Sequence, residues 1–215
     1  MVAEIYRQLA VFLVAGIGLY VAGVSRAQSD ELQLSGKEPE AEIVSNIVAI
    51  AIPPQQIPLE KSEYVYKNGY QLKLLDKFSL HARVLSKRFY FGDERADIAP
   101  VDLAVGWGKL ADPAILKYIQ FRQNNRFLYW HVDEFPIPRK ELESSATNIH
   151  MIPANGNIEK QAKSIKRGQV ISLRGFLVDA KAGDNAVWPT SRSREDSGEG
   201  ACEILYVNEI VVHDQ

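Results

Sequence analysis

The segment from Arg167 to Val212 constrains the fold of this chain more than any other. Val170 to Val178 and Ala201 to Val212 are two strand-like runs. Between them lies a long polar connection that ends in Trp188-Pro189-Thr190-Ser191-Arg192-Ser193-Arg194-Glu195-Asp196-Ser197-Gly198-Glu199-Gly200. Gly175 stands in the middle of the first run. A glycine inside a strand marks a bulge, a sharp coil or a close backbone approach, and small curved barrels use glycine in this way. The two runs therefore read as the closing strands of a curved sheet, with a loop set on it.

Upstream segments supply more strands. Phe78, Leu80, Ala82 and Val84 recur with period two, as do Val101, Leu103, Val105 and Trp107. That period is the mark of a half-buried strand. Arg126 to Val132 is a third, aromatic run, broken by Pro136 and Pro138. Three short helices are expected between the strands. Asp112-Pro113 provides a cap and a first helical residue for a helix to about Ile119. Arg139 to about Ala146 forms a second. Asn157 caps a third, with Ile158, Ala162 and Ile165 on one face and Gly168 as its stop. The expected class is α+β, a mostly antiparallel twisted sheet or small open β-barrel with three short helices.

One N-terminal hydrophobic helix is expected to precede this domain. Leu9 to Val24 carries no charge, and a helix of that length spans about 24 Å. That is marginal for a hydrocarbon core of about 30 Å and long for a signal-peptide core. Ser25-Arg26-Ala27 offers a cleavage site after Ala27. Residues 1–27 are thus a signal peptide or anchor, 28–63 a linker and extended arm, and 64–215 an extracytoplasmic domain. The main domain is expected in the periplasm, anchored in the inner membrane through residues 9–24 or, alternatively, released by cleavage. A net charge of −2 makes nucleic acid an unlikely partner, since its binders present basic domains. The single cysteine excludes an internal disulfide.

Three motifs carry a resemblance. Asp102-Leu103-Ala104-Val105-Gly106-Trp107-Gly108, Asn148-Ile149-His150-Met151-Ile152-Pro153-Ala154 and the Trp188–Glu203 segment resemble those of a group of bacterial membrane-anchored or exported proteins without a known activity. The likeness spans roughly Tyr70 to Val207. That group carries an apolar residue where Arg192 stands, which favours Arg194 and Asp196 as the contacts that matter.

Candidate site residues follow from chemistry. Arg194, Asp196, Trp188, Trp107 and His150 are the binding candidates. Arginine can grip a carboxylate or phosphate with a fork, and tryptophan can stack on a sugar or base, although both tryptophans also suit a core. Arg194 and Asp196 are expected to form a mutual or shared ion pair that ties down the connection. The competing reading is a solvated loop with ion pairs worth about 0–1 kcal/mol each. His150 and Cys202 are the alternative catalytic pair, but Cys202 shares a strand face with Ile204 and Tyr206 and reads as structural. His81, His131 and His213 are scattered along the chain, so no metal site is expected, and nothing points to a cofactor. The leading expectation is a non-enzymatic, membrane-anchored envelope protein that binds another protein or an envelope polymer. The alternatives are an oligonucleotide/oligosaccharide-binding barrel-like module and a Cys-His hydrolase or transpeptidase.

Overall fold

The computed structural model describes residues 50–213 except 197 and 199. The expected N-terminal helix, its cleavage site and the first part of the linker lie outside the described residues. Among the described residues no helix is long and apolar enough to cross a membrane.

The longest element is β2 (Tyr70–Phe89), twenty residues with alternating burial. Leu72, Leu74, Phe78, Leu80, Ala82 and Val84 point inward, and a fully buried aliphatic side chain contributes about 1.5–3 kcal/mol. Its length lets it serve several partners. β1 (Gln55–Lys67) pairs along its first half, and β3 (Val101–Gly106) along its second half. Along its other edge runs β7 (Val170–Ala182). Beyond β3 come β6 (Ala146–Pro153) and then β8 (Glu203–His213), which pairs back onto β7. The pairing β2-β3-β6-β8-β7-β2 therefore returns on itself, with β1 laid outside it. All pairs in this circuit are antiparallel except β6–β8. The result is a mostly-sheet α+β fold with a twisted, mixed sheet, rather than an antiparallel one throughout.

Two local features let the strands curve. Leu85 interrupts the β2–β3 register, where β2 leaves β7 and takes up β3. At Gly175 the β7–β8 register shifts, and an added Cβ would run into the Tyr206 carbonyl and lie 3.1 Å from Val207 Cα. The glycine is required by backbone proximity.

The main core is formed by inward residues of all five strands in the circuit, among them Phe78, Leu103, Ile149, Leu173 and Leu205. Helix α3 (Gly156–Ser164) joins β6 to β7 and adds Ile158, Ala162 and Ile165 to that core. Its cap is Asn155, whose side chain accepts from Asn157 N at 3.0 Å and Ile158 N at 3.1 Å. The expected cap, Asn157, is instead the second helical residue. The other two helices are a single turn, α1 (Pro113–Leu116), capped by Asp112 as expected, and α2 (Arg139–Ser144). The aromatic strand is β5 (Phe127–His131). It forms a separate hairpin with β4 (Gln120–Asn124), a strand whose polar residues carry no alternating signal in the sequence.

Candidate functional site

On β3 the residues Val101, Leu103 and Val105 face the core, so Asp102, Ala104 and Gly106 face out; on β6 the outward set is Asn148, His150 and Ile152. Yet Asp102 is 0% exposed, Asn148 2% and His150 3%. Polar groups are buried there because other parts of the chain cover this face. These are the β4–β5 hairpin, the β2–β3 loop carrying Asp93 and Arg95, and the β7–β8 connection carrying Trp188 and Cys202.

Arg126 ties the cover to the face. It and Asn125 form the hairpin turn, both in the left-handed region with φ of 65° and 47°. Asparagine tolerates this; for arginine it costs about 1–2 kcal/mol. The side chain's bonds offset the cost. Arg126 donates to Asp102 Oδ1 at 3.2 Å, to Ala99 O at 3.2 Å, and to Asp93 Oδ1 at 3.0 Å. Its backbone N–H donates to Tyr90 Oη at 2.8 Å, and its guanidinium lies 4.1 Å from the Tyr90 ring centre. Burial alone would raise Asp93, but the hydrogen bond and charge of Arg126 outweigh it and hold that carboxyl below its ordinary value. Asn148 Nδ2 donates to Arg126 O at 2.9 Å, and Gln123 Nε2 to Asn148 Oδ1 at 2.6 Å.

His150 Nδ1 lies 2.9 Å from Asp102 Oδ2 but is not aligned as a hydrogen bond. Its ring packs against Trp188 with centres 4.9 Å apart, and the Arg95 guanidinium lies 4.6 Å from the Trp188 ring centre. Arg95, Arg126, Phe127, His150, Trp188 and Cys202 bound a cavity of about 430 Å³. A second cavity of about 300 Å³ shares Phe127 and Cys202 and continues along β5 past Tyr129 and Trp130 to Glu143 and Asp196. The two cavities adjoin at Phe127 and Cys202, a groove region with the hairpin on one side and the β7–β8 connection on the other.

The fold brings His150, Trp188 and Cys202 to this groove and Asp196 to its far end. Trp107 instead packs in the core at 3% exposure. The thiol of Cys202 donates to Arg126 O at 3.5 Å and lies 3.8 Å from Asn148 Nδ2. Burial pushes it up to about 12, so at neutral pH it is a protonated thiol and a poor nucleophile.

The expected Arg194–Asp196 pair does not form. Arg194 turns inward over the Phe78 ring and pairs with Glu203 Oε1 at 2.7 Å. Asp196 accepts from Ser191 Oγ at 2.6 Å. Glu203 is fully buried and also accepts from Thr147. Burial pushes its carboxyl up to about 7, with Arg194 and Thr147 pulling it back. The residue set aside on the strength of the resemblance, Arg192, makes the tightest tie in the connection. Its Nε and Nη2 donate to Asp76 Oδ2 and Oδ1, both at 2.6 Å.

Arg126, Asp102, Asp93 and Arg95 were not singled out from the sequence. Two signals were present. Asp102 is a lone charge inside an apolar strand run, and Asn124-Asn125 favours a left-handed turn. Among the described residues there is no group of three or more His, Cys, Asp or Glu side chains that could hold a metal ion. Comparisons with protein families, curated proteins and solved structures found no match to this chain.

Proposed function

We propose that this chain is a non-catalytic binding module for an uncharged envelope polymer, a glycan strand, which lies beside β6 between the β4–β5 hairpin and the β7–β8 connection. The observation that carries the reading is the convergence of β6, the β4–β5 hairpin and two loops on two adjoining cavities lined by Phe127, Tyr129, Trp130 and Trp188. Counted within the closed circuit, β2, β3, β6, β7 and β8 are strands one to five. Strands three and five are parallel, and a helix joins three to four. That connectivity supports assigning an oligonucleotide/oligosaccharide-binding barrel, whose ligands lie on the second and third strands between the first and last interstrand loops. Here those parts are β3, β6, the Asp93–Arg95 loop and the Trp188–Cys202 connection.

Charge favours glycan over nucleic acid. Arg126 is already neutralised by Asp93 and Asp102, and the far end of the groove carries Glu143 and Asp196. A phosphate backbone would meet those carboxylates, whereas a sugar ring can stack on Tyr129, which is 51% exposed. The uncharged run Leu9–Val24 supports placement of the module outside the cytoplasm on an inner-membrane anchor.

The full chain, purified in detergent, is expected to co-sediment with insoluble cell-wall glycan, and Tyr129→Ala should lower the bound fraction while leaving the fold intact. Absence of co-sedimentation, or tighter binding of a twelve-residue oligothymidylate, overturns the reading. A reporter active only outside the cytoplasm, fused after Gln215, tests the location.

A further inference from the structure

A second polar cluster lies away from the groove, on the outer face where β2, β7 and β8 run side by side. His81 stands opposite Ser172 in the β2–β7 ladder, and β8 brings His213 alongside. The neighbours Leu80, Ala82, Ile171 and Leu173 face the core, so the three polar side chains share the outward surface. His81 Nδ1 is 2.8 Å from Ser172 Oγ, and His213 Nε2 is 2.8 Å from the same oxygen. The two ring centres are 4.6 Å apart.

A serine hydroxyl has one proton. It can donate to one imidazole only, so the other ring must present an N–H to the oxygen. Ser172 Oγ occupies the point on which the two ring nitrogens converge; with that hydroxyl turned aside to another rotamer, both lone pairs can bind one metal ion, each ring carrying its proton on the other nitrogen. For imidazole nitrogen the order of affinity rises from Ni²⁺ to Cu²⁺ and falls again at Zn²⁺, so a site of two imidazoles and water favours Cu²⁺. His81 and Ser172 also border a surface cavity of about 250 Å³ that leaves room for water ligands. Arg174 borders it too, with its guanidinium 3.3 Å from Glu209 Oε2.

We propose that His81 and His213, with Ser172 between them, form a surface site for a divalent copper or nickel ion, held by two imidazoles and completed by water. The site is independent of the groove and of the function proposed for it. The three strands are paired along this stretch, so the two rings are brought together before the metal arrives, and the cost of ordering them on binding is reduced.

The test uses the full chain in detergent, titrated with CuSO₄, NiCl₂ and ZnCl₂. One Cu²⁺ should bind per chain, more tightly than Zn²⁺, with an electron paramagnetic resonance spectrum showing two equatorial nitrogens. His81→Gln and His213→Gln should each weaken Cu²⁺ binding roughly tenfold or more while keeping the circular dichroism of the parent. Should either variant fail to fold, paramagnetic broadening of imidazole signals in the unaltered chain decides, centred on His81 and His213 if the site is real. Binding unchanged by either substitution, a spectrum with one nitrogen, or broadening centred on other residues overturns the proposal.

Discussion

Arg192→Ala should destabilise this protein more than Arg194→Ala at pH 7, the reverse of the order expected from the sequence. Asp76 is 0% exposed and receives two 2.6 Å bonds from the Arg192 guanidinium. Without them it keeps, among the described residues, one side-chain donor, Gln56 Nε2 at 3.0 Å. Removing one partner of a buried pair costs about 3–5 kcal/mol, and of an exposed pair under about 1. The Arg192 side chain is 49% exposed, so water can replace part of what is lost, and a cost of about 2–3 kcal/mol follows. That corresponds to a fall in Tm of roughly 5–10 °C for a domain of this size. Arg194 differs because its partner can discharge. With Glu203 at about 7 in the fold, its ionised and neutral forms are equally populated at pH 7, and being able to ionise adds only about 0.4 kcal/mol over staying neutral. The contact with Phe78 adds about 1 kcal/mol. Burial raises this carboxyl in the folded state, so its net contribution to stability is present at acid pH and is lost as the pH rises from its ordinary value of 4.5 through about 7. The Arg194→Ala penalty should therefore grow with pH, its electrostatic part reaching about 3 kcal/mol at pH 9. Urea denaturation of both variants at pH 7 and pH 9 measures this. A larger loss for Arg194→Ala than for Arg192→Ala at pH 7, or a pH-independent Arg194→Ala penalty, would refute the reasoning.

Gly175→Ala forces a methyl group into the Tyr206 carbonyl and should cost about 3 kcal/mol or prevent folding; a Tm within about 2 °C of the parent would show that β7 and β8 can part there. Cys202 should resist iodoacetamide at pH 7.5 in the folded protein, since burial holds its thiol near 12, and should react promptly once urea unfolds the chain. Prompt labelling of the native protein would restore a nucleophilic role. Asn155→Ala should cost about 1 kcal/mol through loss of the α3 cap, while Asn157→Ala should cost less, as thermal unfolding of the two variants will report.

What the sequence made legible was whatever depends on near neighbours. β2, β7 and β8 could be read because alternation and a mid-strand glycine are local facts. β6 could not, because it is covered on both faces and the alternation in Asn148-Ile149-His150-Met151 is only four residues long. β1 was obscured by Pro53, Pro54 and Pro58, which halt a central strand but not one laid along the outside of the circuit. The α3 cap was misplaced by two residues because Asn155 and Asn157 have the same chemistry, and tertiary placement chooses between them. The two arginines were ranked wrongly for a long-range reason. The worth of each depends on a carboxylate supplied by a strand of the sheet, and that of Arg192 lies 116 residues away. Residue type announces that a fork is available; only the fold supplies the acid it grips. The same holds for His81 and His213, which the sequence scatters and Ser172 joins.

The salt dependence of ligand binding should follow from how the groove spends its charge. Of the two arginines that line the larger cavity, Arg126 is bonded to Asp93 and Asp102, and both carboxylates reach it from strongly held positions. Arg95 remains, exposed and stacked on Trp188. A single-stranded polyanion in this groove could therefore neutralise about one phosphate, giving a slope of log K against log salt near −0.7. It would also meet Asp196 and Glu143 farther along, which oppose it. A neutral glycan releases no counterions, and its affinity should be flat between 50 and 500 mM NaCl, with stacking on Tyr129 contributing about 1 kcal/mol. A flat titration combined with a loss of at least fivefold in Tyr129→Ala is the expected pattern. A slope of −3 or steeper would mean that several phosphates find cations along the groove, and the neutral-polymer reading would have to be abandoned.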